Sequence, residues 1–270
     1  MPHVTSDGVS IYYETTGRGL PFLFQHGCGG DHTRAFDLVE GLLGIQVLAA
    51  DARGHGRSEL GPIDDFTFET LARDMLAVLN AEDVPFAFVG GISMGAAIAV
   101  RLALLAPDRV TALVLCRPCW LHEPDPPHAR VFAEIGRLIA SHGGPEAALR
   151  FRASPSYRAI AREAPDLAES LAGLCLQEGI ERTAEKFVRI APQTVVDDLA
   201  ELRRIDVPTL VLATERDPVH PLRYGKLSAR EIPDARLEII TPKPVDAARY
   251  RKEARNAISR FLEEYGISRE

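Results

Sequence analysis

The stretch from Val84 to Val100, VPFAFVGGISMGAAIAV, restricts this chain more than any other. A short apolar run ends in glycines, a lone serine follows, and a small-residue helical pattern begins at once. The spacing predicts strand, sharp turn, helix. A serine at the apex of such a turn holds strained backbone angles, and small neighbours are needed for strand and helix to approach. Gly91 and Gly95 are those neighbours. The turn lifts the Ser93 hydroxyl clear of the sheet and sets it at a helix N-terminus, where free N–H groups and the dipole favour negative charge. A G-x-S-x-G match alone is weak, and a tight turn that happens to contain serine is the plainer reading. The strand–turn–helix setting favours a nucleophile.

The chain has 270 residues, 46% of them hydrophobic, enough for a sizeable core. A net charge of −7 and the lack of any basic run argue against nucleic acid as a partner. The cysteines Cys28, Cys116, Cys119 and Cys175 are spread out. Cys116 and Cys119 form a C-x-x-C, but Pro118 lies between them and no second cysteine pair supports zinc, so no metal is expected. Met1-Pro2-His3-Val4 does not read as a signal peptide, and no apolar run reaches the roughly 18 residues of a membrane span. The expectation is a soluble, cytoplasmic protein with reduced thiols and no membrane partner.

Val9, Ile11 and Tyr13 alternate with polar residues after the Asp7-Gly8 turn, which predicts a hairpin over 2–15. Apolar strands are expected at 21–25, 46–50, 84–89, 112–116, 207–214 and 236–240. Helices are expected from Asp31 to about Leu43, over 67–80, after Ser93, over 222–231 and over about 246–265. Alternating continuous apolar strands with helices predicts an α/β fold with a doubly wound, mostly parallel sheet covered on both faces. In such sheets ligands bind at the carboxyl ends of strands. The glycine clusters at 27–30, 54–56 and 90–95 all fall there.

The alternation stops near Cys119. Residues 120–204 show helical patterns at 131–141, 145–152, 167–177, 183–190 and 195–202, with Glu123-Pro124-Asp125-Pro126-Pro127 as the entry. This reads as a helical insertion between core segments 1–119 and 205–270.

Three motifs in order, His26-Gly27-Cys28-Gly29-Gly30, Asp51-Ala52-Arg53-Gly54-His55-Gly56-Arg57-Ser58 and Gly91-Ile92-Ser93-Met94-Gly95, resemble those of the α/β-hydrolase fold superfamily, and the resemblance covers nearly the whole chain. It implies a core with 120–204 as a helical cap. It implies Ser93 as nucleophile, an oxyanion hole from the backbone amides of Met94 and Cys28, and Asp217 as the acid after the seventh strand. His26 and His55 are expected to brace loops by hydrogen bonding.

The base departs from the family pattern. Members place a histidine after the eighth strand, where this chain reads Thr241-Pro242-Lys243-Pro244-Val245-Asp246, and no histidine follows His220. A serine hydroxyl is a poor nucleophile without a base. Four solutions stay open. His220, three residues past Asp217, titrates in a suitable range. Lys243 becomes a base if burial depresses its pKa. A cap histidine such as His122 reaches down. Or no acyl transfer occurs, since the fold also hosts lyases and ligand receptors. The expected function is hydrolysis of a small ester or lactone through Ser93 with an atypical base. The alternative is a non-hydrolytic lyase or binding protein that keeps the pocket and the oxyanion hole. The expected partner is a small-molecule substrate, with no cofactor. Oligomeric state stays open, a homodimer through cap or edge surfaces included. Arg53, Arg57 and Arg117, at strand ends, are candidates to pair a substrate carboxylate or phosphate, or a local acid.

Overall fold

The computed structural model describes residues 2–265. Eight strands form one sheet in the order β1-β2-β4-β3-β5-β6-β7-β8. They span β1 His3–Ser6, β2 Val9–Gly17, β3 Leu20–Gln25, β4 Ile45–Ala50, β5 Ala87–Ile92, β6 Val110–Cys116, β7 Thr209–Thr214 and β8 Ala235–Ile240. The hairpin β1–β2 and the β2–β4 pair are antiparallel, and every pair from β4 to β8 is parallel. The parallel part follows from the sequence: strands such as Thr209–Thr214 are buried at every residue, so helices must cover both faces.

One face carries α1 (His32–Val39) and α10 (Ala247–Tyr265), whose Ala35, Leu38, Tyr250, Ile258 and Phe261 pack on Phe22, Phe24 and Val114. The other carries α2 (Phe68–Ala81), α3 (Met94–Leu105) and α9 (Leu222–Glu231). The helix starts have local causes. Asp31 accepts from the Thr33 amide, and the Thr67 hydroxyl accepts from the Thr70 amide, each satisfying an orphan donor of a first turn. Helix α1 ends at Val39, four residues short of the sequence expectation, and the chain turns through Gly41 (φ 82°).

Between β6 and β7 lie α4 (Arg130–His142), α5 (Gly144–Arg152), α6 (Pro155–Glu163), α7 (Pro165–Leu174) and the short α8 (Glu185–Ile190). Helix α6 was not expected. Ser154 caps it and Pro155 opens it, but of its side chains only Ile160 is buried, so it lacks the apolar stripe that periodicity detects. The pattern at 195–202 forms a short 3₁₀ stretch, Leu199–Arg204, instead of an α-helix. These helices share one apolar cluster with the sheet. Trp120 is its joint: the ring lies between Phe68 of α2, at 5.8 Å, and Phe132 of α4, at 5.6 Å. Its indole N–H donates to the Ala191 carbonyl. No helix among the described residues is long and apolar enough to cross a membrane.

Candidate active site

Strand β5 ends at Ile92, and Ser93 then takes φ 58° and ψ −111°, a strained turn that starts α3. The turn is possible because neighbours have no side chains. A Cβ on Gly91 would stand 2.5 Å from the Gly95 carbonyl carbon, and one on Gly95 would run into the Gln25 and His26 carbonyls. The adjacent strands end alike: Arg117 after β6 (φ 51°) and Arg216 after β7 (φ 54°) are also left-handed. Three neighbouring strands therefore turn sharply at one edge, and their loops converge.

The loop after β7 brings Asp217 and His220 to Ser93. His220 Nε2 lies 2.9 Å from Ser93 Oγ, and His220 Nδ1 lies 3.0 Å from Asp217 Oδ1. Asp217 Oδ1 also accepts from the Val219 and His220 amides, which fixes the carboxylate to its own loop. Asp217 Oδ2 accepts from Arg117, with Nη2 at 2.7 Å and Nε at 3.0 Å. All three side chains are nearly buried. Burial alone would raise the Asp217 carboxyl; His220, Arg117 and the hydrogen bonds overcome it and hold the group far below the usual carboxylate range. Burial lowers the His220 pKa, and the Arg117 cation lowers it further against the pull of Asp217. His220 is thus neutral at pH 7. With Nδ1–H donated to the carboxylate, its Nε2 lone pair faces the serine hydroxyl, the arrangement a general base needs.

Arg117 is a second claimant on that ring nitrogen. Its Nη2 lies 2.8 Å from His220 Nδ1, and two donors cannot both use one bond there. The Asp217 carboxylate favours Nδ1–H, whereas Arg117 favours a bare Nδ1. Of the two partners the sequence leaves open for Arg117, a substrate carboxylate or phosphate or a local acid, the structure shows a local acid, Asp217. Cys119 was not foreseen: its Sγ lies 3.4 Å from Ser93 Oγ, and burial pushes its thiol above the usual range. No local pattern marks such a contact, because Cys119 arrives on the chain leaving β6.

The Cys28 loop is built by commitment of its neighbours. The Gly29 amide donates to His55 Nε2 and the Gly30 amide to the Gly27 carbonyl. Among the described residues the Cys28 and Met94 amides donate to no protein acceptor. His26 and His55 do brace loops. The Ala52 amide donates to His26 Nε2 at 3.0 Å, and each Nδ1 sits on a carbonyl, Gly27 and Arg53 respectively. Burial keeps both rings neutral, which suits one donating and one accepting nitrogen. The other candidates lie apart. Lys243 is exposed in the turn after β8, with no hydrogen bond to Ser93, Asp217 or His220; partial desolvation and nearby arginines lower its pKa. His122 is half-buried, and its Nδ1 has no hydrogen-bond partner among the described residues. Arg53 is consumed by a buried ion pair with Asp74 at 2.7 Å, and Arg57 donates to the Tyr12 hydroxyl. All four cysteines are free thiols, and no three His, Cys, Asp or Glu side chains among the described residues group as metal ligands.

Residues 21–243 match the family model of the alpha/beta hydrolase fold. The chain belongs to the α/β-hydrolase fold family. It is 34% identical over 242 residues to RutD of Azorhizobium caulinodans, covering 88% of each chain; that protein is assigned, not demonstrated, to be a carbamate hydrolase. It is 31% identical to a non-heme chloroperoxidase of Streptomyces lividans over 80% of this chain and 82% of that one. The solved structure of Est816, an N-acyl homoserine lactone degrading enzyme, superposes with TM-score 0.71 at 26% identity, covering 94% of this chain and 99% of that one.

Proposed function

We propose that this α/β-hydrolase is a serine hydrolase acting on a small ester or lactone, with Ser93 as nucleophile and His220 as base. The observation that supports it most is the Ser93–His220–Asp217 relay, 2.9 Å and 3.0 Å between its polar atoms. Est816 and RutD, named for lactone and carbamate chemistry, fit the same acyl-transfer class.

In this mechanism Ser93 Oγ attacks the carbonyl carbon as its proton passes to His220 Nε2. Asp217 keeps Nδ1–H in place and stabilises the imidazolium. The oxyanion lies between the Met94 and Cys28 amides at the N-terminus of α3, where donors are worth about two to three orders of magnitude in turnover. The imidazolium then protonates the leaving oxygen. A water, deprotonated by the same ring, releases the acid and regenerates Ser93. The helices over 120–204 act as a cap that sets substrate size. A non-hydrolytic member without a base is the alternative, and the reach of His220 weighs against it.

A fluorophosphonate probe tests the reading. Labelling of the wild-type chain that disappears in Ser93→Ala supports an activated serine. A folded protein that takes no label would favour the non-hydrolytic alternative.

A further inference from the structure

Lys186 is a buried cation with no counter-ion among the described residues. It sits on α8, 2% exposed. Its ammonium donates to the Gly54 carbonyl and to the Thr183 hydroxyl, at 3.1 Å for the latter, and stands 4.9 Å from the centre of the Phe187 ring. An ammonium has three N–H groups, and among the described residues only two oxygens accept from this one. Among the described residues no carboxylate pairs with it, and desolvation lowers its pKa to about 8. Burying a charge this way costs several kcal/mol, which a matched anion would largely offset.

Room for such an anion exists. Lys186 lines a cavity of about 780 Å³, a volume typical of small-molecule sites. Gly29, Gly30 and Gly54 bound it on the core side, and Gln177 and Thr183 on the helical side. Ser93 and His220 do not line the cavity; the loop over 27–30 borders both it and the candidate centre. At one end of that loop Gly29 and Gly30 form the cavity wall. At the other, a Cβ on Gly27 would stand 3.4 Å from the Ser93 Cβ. The remaining charged residues of the wall are Arg57, Arg182, Asp31, Glu59 and Glu178, none of them buried. Asp31 is engaged in capping α1 and Glu59 accepts from the Ser10 amide. Among these groups Lys186 is the one a ligand would have to neutralise.

We propose that this cavity receives a free carboxylate of the substrate, with Lys186 as its partner, so that the preferred substrates are acyl compounds of dicarboxylic-acid type. The word substrate rests on the serine-hydrolase reading; the carboxylate site does not. A purely structural Lys186, tying α8 to the 51–58 loop, would serve charged and neutral substrates alike.

The test compares kcat/KM for mono-4-nitrophenyl glutarate, which carries a carboxylate, with that for neutral 4-nitrophenyl butyrate. The wild type favours the glutarate, and in Lys186→Met the ratio of the two falls at least tenfold. An unchanged ratio, or a wild type that prefers the butyrate, overturns the proposal. If neither ester is turned over, the hydrolase reading has failed, and glutarate itself decides the site by thermal shift. Glutarate then raises the melting temperature of the wild type and of Ser93→Ala but not of Lys186→Met. No shift, or an equal shift in all three, overturns it. Should the methionine variant not fold, Lys186→Gln removes the charge while keeping a donor for the Gly54 carbonyl.

Discussion

His220 Nε2 lies 2.9 Å from Ser93 Oγ, although 127 residues separate the two in the chain. The imidazole comes from the loop after β7, which also carries Asp217, and the loop after β8 contributes none. Acid and candidate base thus share one four-residue turn, Asp217 to His220, stiffened by Pro218 and flanked by Pro221. If that turn supplies the base, His220→Ala lowers kcat/KM on short 4-nitrophenyl esters by about 10² to 10⁴-fold, the usual worth of a positioned base. Lys243→Ala stays within about twofold, because the exposed Lys243 has no bond to the relay. Initial rates of both variants decide it; a His220→Ala enzyme at full rate assigns the proton to another group.

In the proposed mechanism Arg117 sets the pH at which His220 can serve as base. After burial it is the largest influence that lowers the His220 pKa. Removing it in Arg117→Met raises that pKa, so the acid limb of the kcat/KM profile moves to higher pH. A profile with an unmoved acid limb would show that Arg117 only anchors Asp217. Asp217 keeps three donors on Oδ1, the Val219 and His220 amides and the ring, so its carboxylate stays in place without the guanidinium.

Acid destabilises this fold through neutral buried histidines. His26, His55 and His220 have folded pKa values below the ordinary 6.5, each chiefly because of burial. Below pH 6.5 the unfolded chain takes up protons that these rings refuse in the fold, so stability falls with pH from there. Asp217 adds to the same trend at lower pH: its folded pKa is depressed, so its contribution is present above its ordinary 3.8 and lost as the pH falls through the folded value. Melting temperatures measured from pH 8 down to pH 5 should decline below about 6.5. A flat profile contradicts neutral, buried rings.

Two glycines separate a required absence of side chain from an incidental one. Gly95→Ala drives a methyl into the Gln25 and His26 carbonyls. Its expected cost is at least about 1–3 kcal/mol, read as a lower urea midpoint, with loss of serine labelling. Gly173→Ala on α7 meets no atom within 4 Å and removes a flexible helix residue. It should stabilise by about 0.5–1 kcal/mol.

The local sequence determines most of the fold. Continuous apolar strands, the glycines around Ser93 and caps such as Asp31 and Thr67 act within a few residues, where spacing and steric fit suffice. The same locality explains why Asp217 and His220 could be named as candidates: both lie on one short turn. It also explains the failure at α6, whose stabilisation is capping and proline rather than an apolar stripe. The chemistry needed contacts that no spacing encodes. His220 reaches Ser93, Arg117 divides itself between Asp217 and His220, and Cys119 lies against the serine only because β5, β6 and β7 end side by side. Lys186 is buried only because α8 packs over the Gly54 loop and takes its ammonium out of water. Hydrogen bonds and buried charges act over a few ångströms of space, whatever the distance along the chain, and sheet order decides which residues share that space.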